Sequence, residues 1–267
     1  MKNQLKNQLK PVRLKPRPQP RIWGSRDLQP WFPNPAEKIG EVWFSVSDAH
    51  PLLVKFLFTT EKLSVQVHPR DDYAALHHNG SRGKTEMWHI LRADPGAVIA
   101  LGFKREISRE ELRAASETGE IEHLLRWIPV NAGETYLTPA GTVHAIGGGL
   151  ALCEIQQNSD ITYRLYDYGR RRELHLDHGE TVSDLGTHPG VSIEKVECAH
   201  FETQQMNISA RVRHCSKRDE LLIVLNGSGT IADERFRLGE VWHVPEGTSA
   251  FEIEPDDSVK MLQTSAR

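Results

Sequence analysis

The chain has 267 residues, 26% of them charged, and a formal net charge of −3. That length can bury a full core, as one large all-β domain or two modest ones. The near-balanced charge gives no bulk attraction for nucleic acid or an anionic membrane, so an anionic substrate would need a local basic pocket. Cys153, Cys198 and Cys215 are scattered and form no CxxC pair, which argues against a disulfide framework and for a reducing compartment. No apolar run reaches the length of a membrane span, and the N-terminus lacks the apolar core of a secretory signal. A soluble cytoplasmic protein is expected.

Residues 1–22 carry Lys2, Lys6, Lys10, Arg13, Lys15, Arg17 and Arg21 with no acidic residue, and alternate proline with basic residues towards their end. Proline at this density blocks a helix or a central strand, so a mobile or loosely docked basic arm is expected. The body begins near Trp23. Gly40–Phe44 and Leu52–Phe58 read as strands separated by a turn at Ser47–Pro51. Leu63–His68 is a further strand, Asp71–His78 a short helical turn, and Glu86–Leu91 and Ala97–Leu101 strands again. Ser108 and Glu111 have capping-box spacing and start a helix; Gly119 interrupts it, and Ile121–Trp127 is expected to form a second short helix. Strands resume at Glu134–Thr138, Val143–Ile146, Leu150–Gln156 and Thr162–Asp167.

A second block follows the loop 184–190, with strands expected at Leu221–Leu225, Gly229–Ile231, Val241–Val244 and Ala250–Ile253. Pro139-Ala140-Gly141-Thr142 in the first block is echoed by Pro245-Glu246-Gly247-Thr248 in the second. Many short strands with frequent turns indicate a β-sandwich or barrel, and the echoed turn suggests two related jelly-roll units. The expected division is a basic arm at 1–22, a catalytic metal-binding domain at 23–183 and a degenerate unit at 184–267.

Residues i and i+2 of a strand share a face. Gln66 therefore projects with His68, and Lys84 with Glu86, while His144 follows the Pro139–Gly141 turn. Two imidazoles, a carboxylate and an amide could close around one divalent cation. A zinc ion with nitrogen and oxygen ligands and an open position is a catalytic arrangement, since a structural site would more often use cysteine. A histidine on its own is more often a satisfied core or surface residue, and the set carries the argument. Glu154 alternates with Gln156 and Asn158 as a polar stripe. Lys84 and Arg164 are either a solvated ion pair or a clamp for an anionic substrate, for which arginine's planar fork is suited.

The segments Leu63–Pro69, Gly83–Trp88, Pro139–Ala145 and Glu154–Arg164 together resemble type I mannose-6-phosphate isomerases of the short bacterial form, strongly over residues 23–180 and loosely beyond. The resemblance implies a cupin double-stranded β-helix with one zinc per chain, held by Gln66, His68, Glu86 and His144. It places Arg164 in the active site, with Glu154 and Lys84 lining the pocket and Ser64 and Lys84 as candidates for substrate and phosphate contact. The substrate implied is a sugar phosphate, with no nucleic-acid or membrane partner; the oligomeric state is not readable. Moving a proton between C2 and C1 through an enediol needs a base, for which Glu154 is the first candidate and Lys84 the second. It also needs positive charge where the oxygens become negative, for which zinc and Arg164 are suited. Other readings are an isomerase of another sugar phosphate, an Fe(II) cupin oxygenase, and a metal-containing sugar-binding module without catalysis. In the second unit His243 stands alone and no metal is expected. His77, His78, His89, His123, His175 and His178 are expected to be exposed or satisfied in the core.

Overall fold

The computed structural model describes residues 9–267. In chain order its first strands are β1 (Val12–Arg13), β2 (Arg17–Ser25), β3 (Ile39–Phe44), β4 (Leu52–Thr59), β5 (Val65–Val67), β6 (Glu86–Ala93), β7 (Val98–Phe103), β8 (Leu125–Pro129), β9 (Thr135–Thr138), β10 (His144–Ile146), β11 (Leu150–Gln157) and β12 (Tyr163–Tyr166). Helices α1 (Asp71–His77), α2 (Arg109–Thr118), α3 (Ile121–Leu124) and α4 (Leu176–Val182) interrupt or follow them. The second half holds β13 (Lys195–Glu197), β14 (Phe201–Ile208), β15 (Val212–His214), β16 (Glu220–Asn226), β17 (Ser228–Ile231), β18 (Glu234–Arg237), β19 (Val241–Val244), β20 (Phe251–Pro255) and β21 (Val259–Ala266).

These strands form four antiparallel sheets in two pairs. In the first unit the sheet β2-β3-β4-β11-β6-β9 faces β12-β5-β10-β7-β8; in the second, β1-β19-β16-β21-β14-β13 faces β15-β20-β17-β18. Each pair is a jelly roll, so the fold is the all-β cupin double-stranded β-helix with a short helical insertion. The Pro-Xaa-Gly turns are the same device in both units. Gly141 and Gly247 take φ of 94° and 80°, and the amides of Thr142 and Thr248 donate to the carbonyls of Pro139 and Pro245.

Each layer has its own apolar filling. Leu57, Trp88, Ile90, Ile99, Leu101 and Leu152 fill the first unit, and Leu222, Val224, Ile231, Phe236, Trp242 and Met261 the second. Between the units, Val54, Phe56 and Phe58 of β4 pack with Leu221, Ile223, Val241 and Leu262. Because β4 is covered on both faces, all eight of its residues are buried, and it reads as a nearly continuous apolar run rather than an alternating one. Lys55 is the exception in that run.

Two expectations change. Residues 1–8 of the expected arm lie outside the described residues, but from Val12 onward the segment is built into the sheets. β1 pairs with β19 of the second unit and β2 with β3 of the first, so the segment straps the units together. Proline at 18 and 20 is compatible with this because β2 is an edge strand. Every second residue of an edge strand turns its N–H away from its only partner, and that is where a missing donor costs nothing. The second change is at Ile121–Trp127. The helix stops at Leu124 and Leu125–Pro129 pairs with β7; a helix this short is marginal by itself, and the open edge of β7 outbids it. Ser108 does cap α2, accepting from the Glu111 amide at 3.1 Å. Among the described residues no helix is long and apolar enough to cross a membrane.

Candidate active site

The site is built by register. In one sheet of the first unit Gln66 stands opposite His144 on one side and Arg164 on the other. In the facing sheet Glu154 stands between Lys55 and Trp88, and Gln156 stands opposite Glu86. The Pro139–Gly141 turn joins two of the predicted segments, since the Gly141 amide donates to the His68 carbonyl at 2.9 Å.

His68, Glu86 and His144 converge and are wholly buried, and their donor atoms all lie within 4.8 Å of one another. Nδ1 of His68 donates to the Ile161 carbonyl and Nδ1 of His144 to the Thr142 carbonyl, both at 2.9 Å. Each Nε2 lone pair is thereby left facing the site, as in metal-ligating histidines held by a backbone partner. Burial draws the His144 imidazole down to about 4 and His68 well below its ordinary value, so both are in the neutral form that ligation requires. Glu86 Oε2 is 3.5 Å from His68 Nε2, and Oε1 is 3.4 Å from His144 Nε2. Ligands about 2.0–2.1 Å from a tetrahedral cation stand ~3.4 Å apart, which matches. Glu86 Oε1 is also buried without a hydrogen-bond partner, a costly condition that a cation would relieve. These residues fit a divalent metal ion.

Gln66 reaches the same place, but its amide nitrogen faces His144 Nε2 at 3.2 Å while its oxygen accepts from Ser64 Oγ. A half-turn of the amide would exchange the two. Lys84 Nζ donates to Glu86 Oε2 at 2.6 Å and lies 3.0 Å from His68 Nε2. Burial alone would lower the lysine's pKa; the Glu86 and Glu154 carboxylates outweigh it and hold the ammonium above its usual range. Burial pushes Glu86 up to about 7, with repulsion from Glu154 adding. Burial would raise Glu154 as well, but Lys84 at 3.9 Å and Lys55 at 3.4 Å pull it below the ordinary carboxylate range. The Trp88 indole N–H donates to its Oε2 at 3.2 Å.

Above the cluster opens a cleft of ≈ 400 Å³ lined by all of Ser64, Gln66, Lys84, Glu154 and Arg164. Its wall also carries Arg21, Lys55 and Arg172 against Glu41 and Asp160, so cations outnumber carboxylates five to three. It is a local basic pocket of the kind an anionic substrate would need on a chain of this net charge. Arg164 is held by the Glu173 carbonyl at 2.6 Å through Nη1, and its buried Nε has no hydrogen-bond partner. Arg172 is bound through Nε and Nη2 to Asp167.

Sequence reasoning missed Lys55, Trp88, Arg21 and Arg172. A buried lysine inside the apolar run of β4 was the available signal for the first. The histidines expected to be bland include His89, which is bonded to Thr135 Oγ1, and His78, bonded to the Tyr163 hydroxyl. His243 does not stand alone: it lies with His50 and Asp219.

No protein-family model matches the chain. Among curated proteins it is 34% identical to mannose-6-phosphate isomerase ManA of Bacillus subtilis, covering 91% of this chain and 96% of that protein. It is 39% identical to a mannose-6-phosphate isomerase of Streptococcus mutans over 75% of this chain and 69% of that one. The crystal structure of the mannose 6-phosphate isomerase from Bacillus subtilis superposes with a TM-score of 0.83 at 27% identity, covering 96% of this chain and 99% of that one. With the cupin fold, the buried His68–Glu86–His144 cluster and the basic cleft above it, the chain belongs to the mannose-6-phosphate isomerase family of enzymes.

Proposed function

We propose that the protein interconverts D-mannose 6-phosphate and D-fructose 6-phosphate in this cleft, with zinc at His68, Glu86, His144 and Gln66. The observation that carries the reading is the pairing of a fully buried two-histidine, one-carboxylate cluster with a cleft wall rich in cations. A sugar phosphate brings both the oxygens and the charge that such a site would take up. When bound, zinc supplies a Lewis acid for the sugar oxygens at C1 and C2.

Glu154 is the base. It is held as a carboxylate by Lys55 and Lys84, and its orientation is fixed by the Trp88 N–H. It takes the proton from C2, leaving the enediolate, and delivers a proton to C1 while the O2 hydroxyl proton passes to O1; the reverse reaction runs the same path. Lys84 cannot serve as that base while two carboxylates hold it charged. Its role is a fixed positive charge beside the reacting oxygens, with Arg164 of the cleft wall contributing a second. Ser64, at the wall of the cleft, contacts substrate. A two-histidine, one-carboxylate set also suits Fe(II) oxygenases, but five cations around the cleft favour a phosphorylated substrate. The fitting experiment is turnover of mannose 6-phosphate in D2O followed by NMR. Fructose 6-phosphate carrying solvent deuterium at C1 is expected. Deuterium at C1 supports the enediol route, and no product from folded, zinc-loaded protein would contradict the reading.

A further inference from the structure

A second cluster of metal-binding side chains lies outside the cleft, where the two units meet. His50 belongs to the turn leading into β4 of the first unit. Asp219 directly precedes β16, and His243 lies on β19 opposite Leu221 of β16. His243 shares its face of the sheet with Val241 and Leu221, the residues that pack against the first unit, so the cluster sits at the rim of the apolar seam. His50 Nε2 is 2.9 Å from Asp219 Oδ1 and His243 Nε2 is 2.8 Å from Asp219 Oδ2. The two imidazoles stand edge to face with centroids 5.7 Å apart. All three ligand atoms lie within 4.8 Å of one another.

We propose that His50, Asp219 and His243 form a second metal site, for a divalent cation of the zinc class, that clamps the first unit to the second. The donor set, two imidazole nitrogens and one carboxylate, suits zinc and neighbouring transition metals over calcium or magnesium. The histidine side chains are 9% and 13% exposed and Asp219 is 41% exposed, so the protein supplies three ligands on the inner side and water can complete the shell from outside. His50 is preorganised. Its Nδ1 lies 2.9 Å from the Leu52 carbonyl oxygen and 3.2 Å from the Leu52 amide nitrogen, so the backbone at Leu52 fixes the ring, and its own carbonyl accepts from Asn158 Nδ2 at the end of β11. Without a cation the three side chains close on one another through hydrogen bonds. Ligands of a tetrahedral ion stand ~3.4 Å apart, so roughly half an ångström of opening at the two loop residues admits one. None of the three residues lines the catalytic cleft. The cluster therefore adds a tie between two layers that are also joined by apolar packing, by the strap at β1 and β2 and by hydrogen bonds such as Trp31 Nε1 to the Leu225 carbonyl.

The test is zinc stoichiometry of chelator-stripped, zinc-titrated protein, measured by metal analysis after gel filtration. The proteins compared are the wild type, Asp219→Asn, His243→Asn and, as control, His144→Ala. The wild type should take up about two zinc ions per chain and each of the two seam variants about one, with isomerase turnover of the seam variants unchanged. The last zinc equivalent should raise the melting temperature of the wild type and not of the seam variants. His144→Ala should keep the seam ion, which separates this site from the catalytic one: failure of the catalytic reading would leave the seam ion in place. Seam variants that bind as much zinc as the wild type would overturn the proposal. So would a wild type whose only zinc is lost in His144→Ala.

Discussion

Glu154 and Lys84 lie 3.9 Å apart, and from sequence either could be the base. What separates them is the company each keeps. Glu154 has two ammonium groups and an indole N–H around it, and Lys84 has two carboxylates. Glu154→Gln keeps the shape and the Trp88 contact but removes the base, so kcat should fall about 10²–10⁴-fold, with KM changed far less. Steady-state kinetics on zinc-loaded protein checks this, and a near wild-type kcat would remove Glu154 from the role. The members of the His68–Glu86–His144 cluster were legible as candidates, because the i, i+2 rule works within one strand and a Pro-Gly turn leads into His144. Lys55 and Trp88 were not, because they matter only as the neighbours of Glu154 across β4, β11 and β6. Register between strands distant in sequence leaves no local pattern.

At the scale of elements, most strands of the first unit were legible from alternation and turn residues. The exceptions are instructive. β2 was masked by its prolines, which exclude a central strand but not an edge. β8 was masked by apolar spacing that suits a short helix as well as a strand. β14 and β21 escaped because neither keeps a clean alternation: Gln204 and Gln205 are adjacent exposed residues in β14, and Met261 and Leu262 adjacent buried ones in β21. The turn before His144 carries more weight than its length suggests. Gly141 has φ of 94°, and an added Cβ would stand 2.6 Å from Asp184 Oδ2 and 2.7 Å from Arg70 Nη2, atoms that pair with each other across the turn. Gly141→Ala should therefore cost about 1–2 kcal/mol from the left-handed backbone alone. It should also weaken zinc binding, because the same turn holds His68 through its carbonyl. Thermal melts and zinc titration measure the two effects, and unchanged values for both would show that the turn does not position the ligands.

For the molecule as a whole, stability should carry a pH signature from buried imidazoles. Burial draws His89 down to about 4, with Lys260 adding to the shift, whereas an unfolded chain titrates near 6.5. Between those values the unfolded state binds more protons. The contribution of neutral His89 is thus complete above about pH 6.5 and is lost as the pH falls towards 4, with a slope of up to ~1.4 kcal/mol per pH unit. His68 and His144 act in the same direction in metal-free protein, while Glu86, raised to about 7, opposes them. Urea unfolding of chelated wild type and His89→Gln between pH 7 and pH 5 isolates one histidine. The variant should lose less stability on acidification, and parallel curves would contradict the assignment. The seam between the units was not legible beyond the echoed Pro-Xaa-Gly turn. A strand buried on both faces, such as β4, signals that something covers it without naming what.

The most direct test of the central claim is isomerisation of mannose 6-phosphate by the purified protein, assayed after chelation and again after zinc is restored. Fructose 6-phosphate should form, formation should stop on chelation, and zinc should bring it back. A folded, zinc-loaded protein that leaves mannose 6-phosphate untouched, or one whose turnover ignores chelation, would contradict the account.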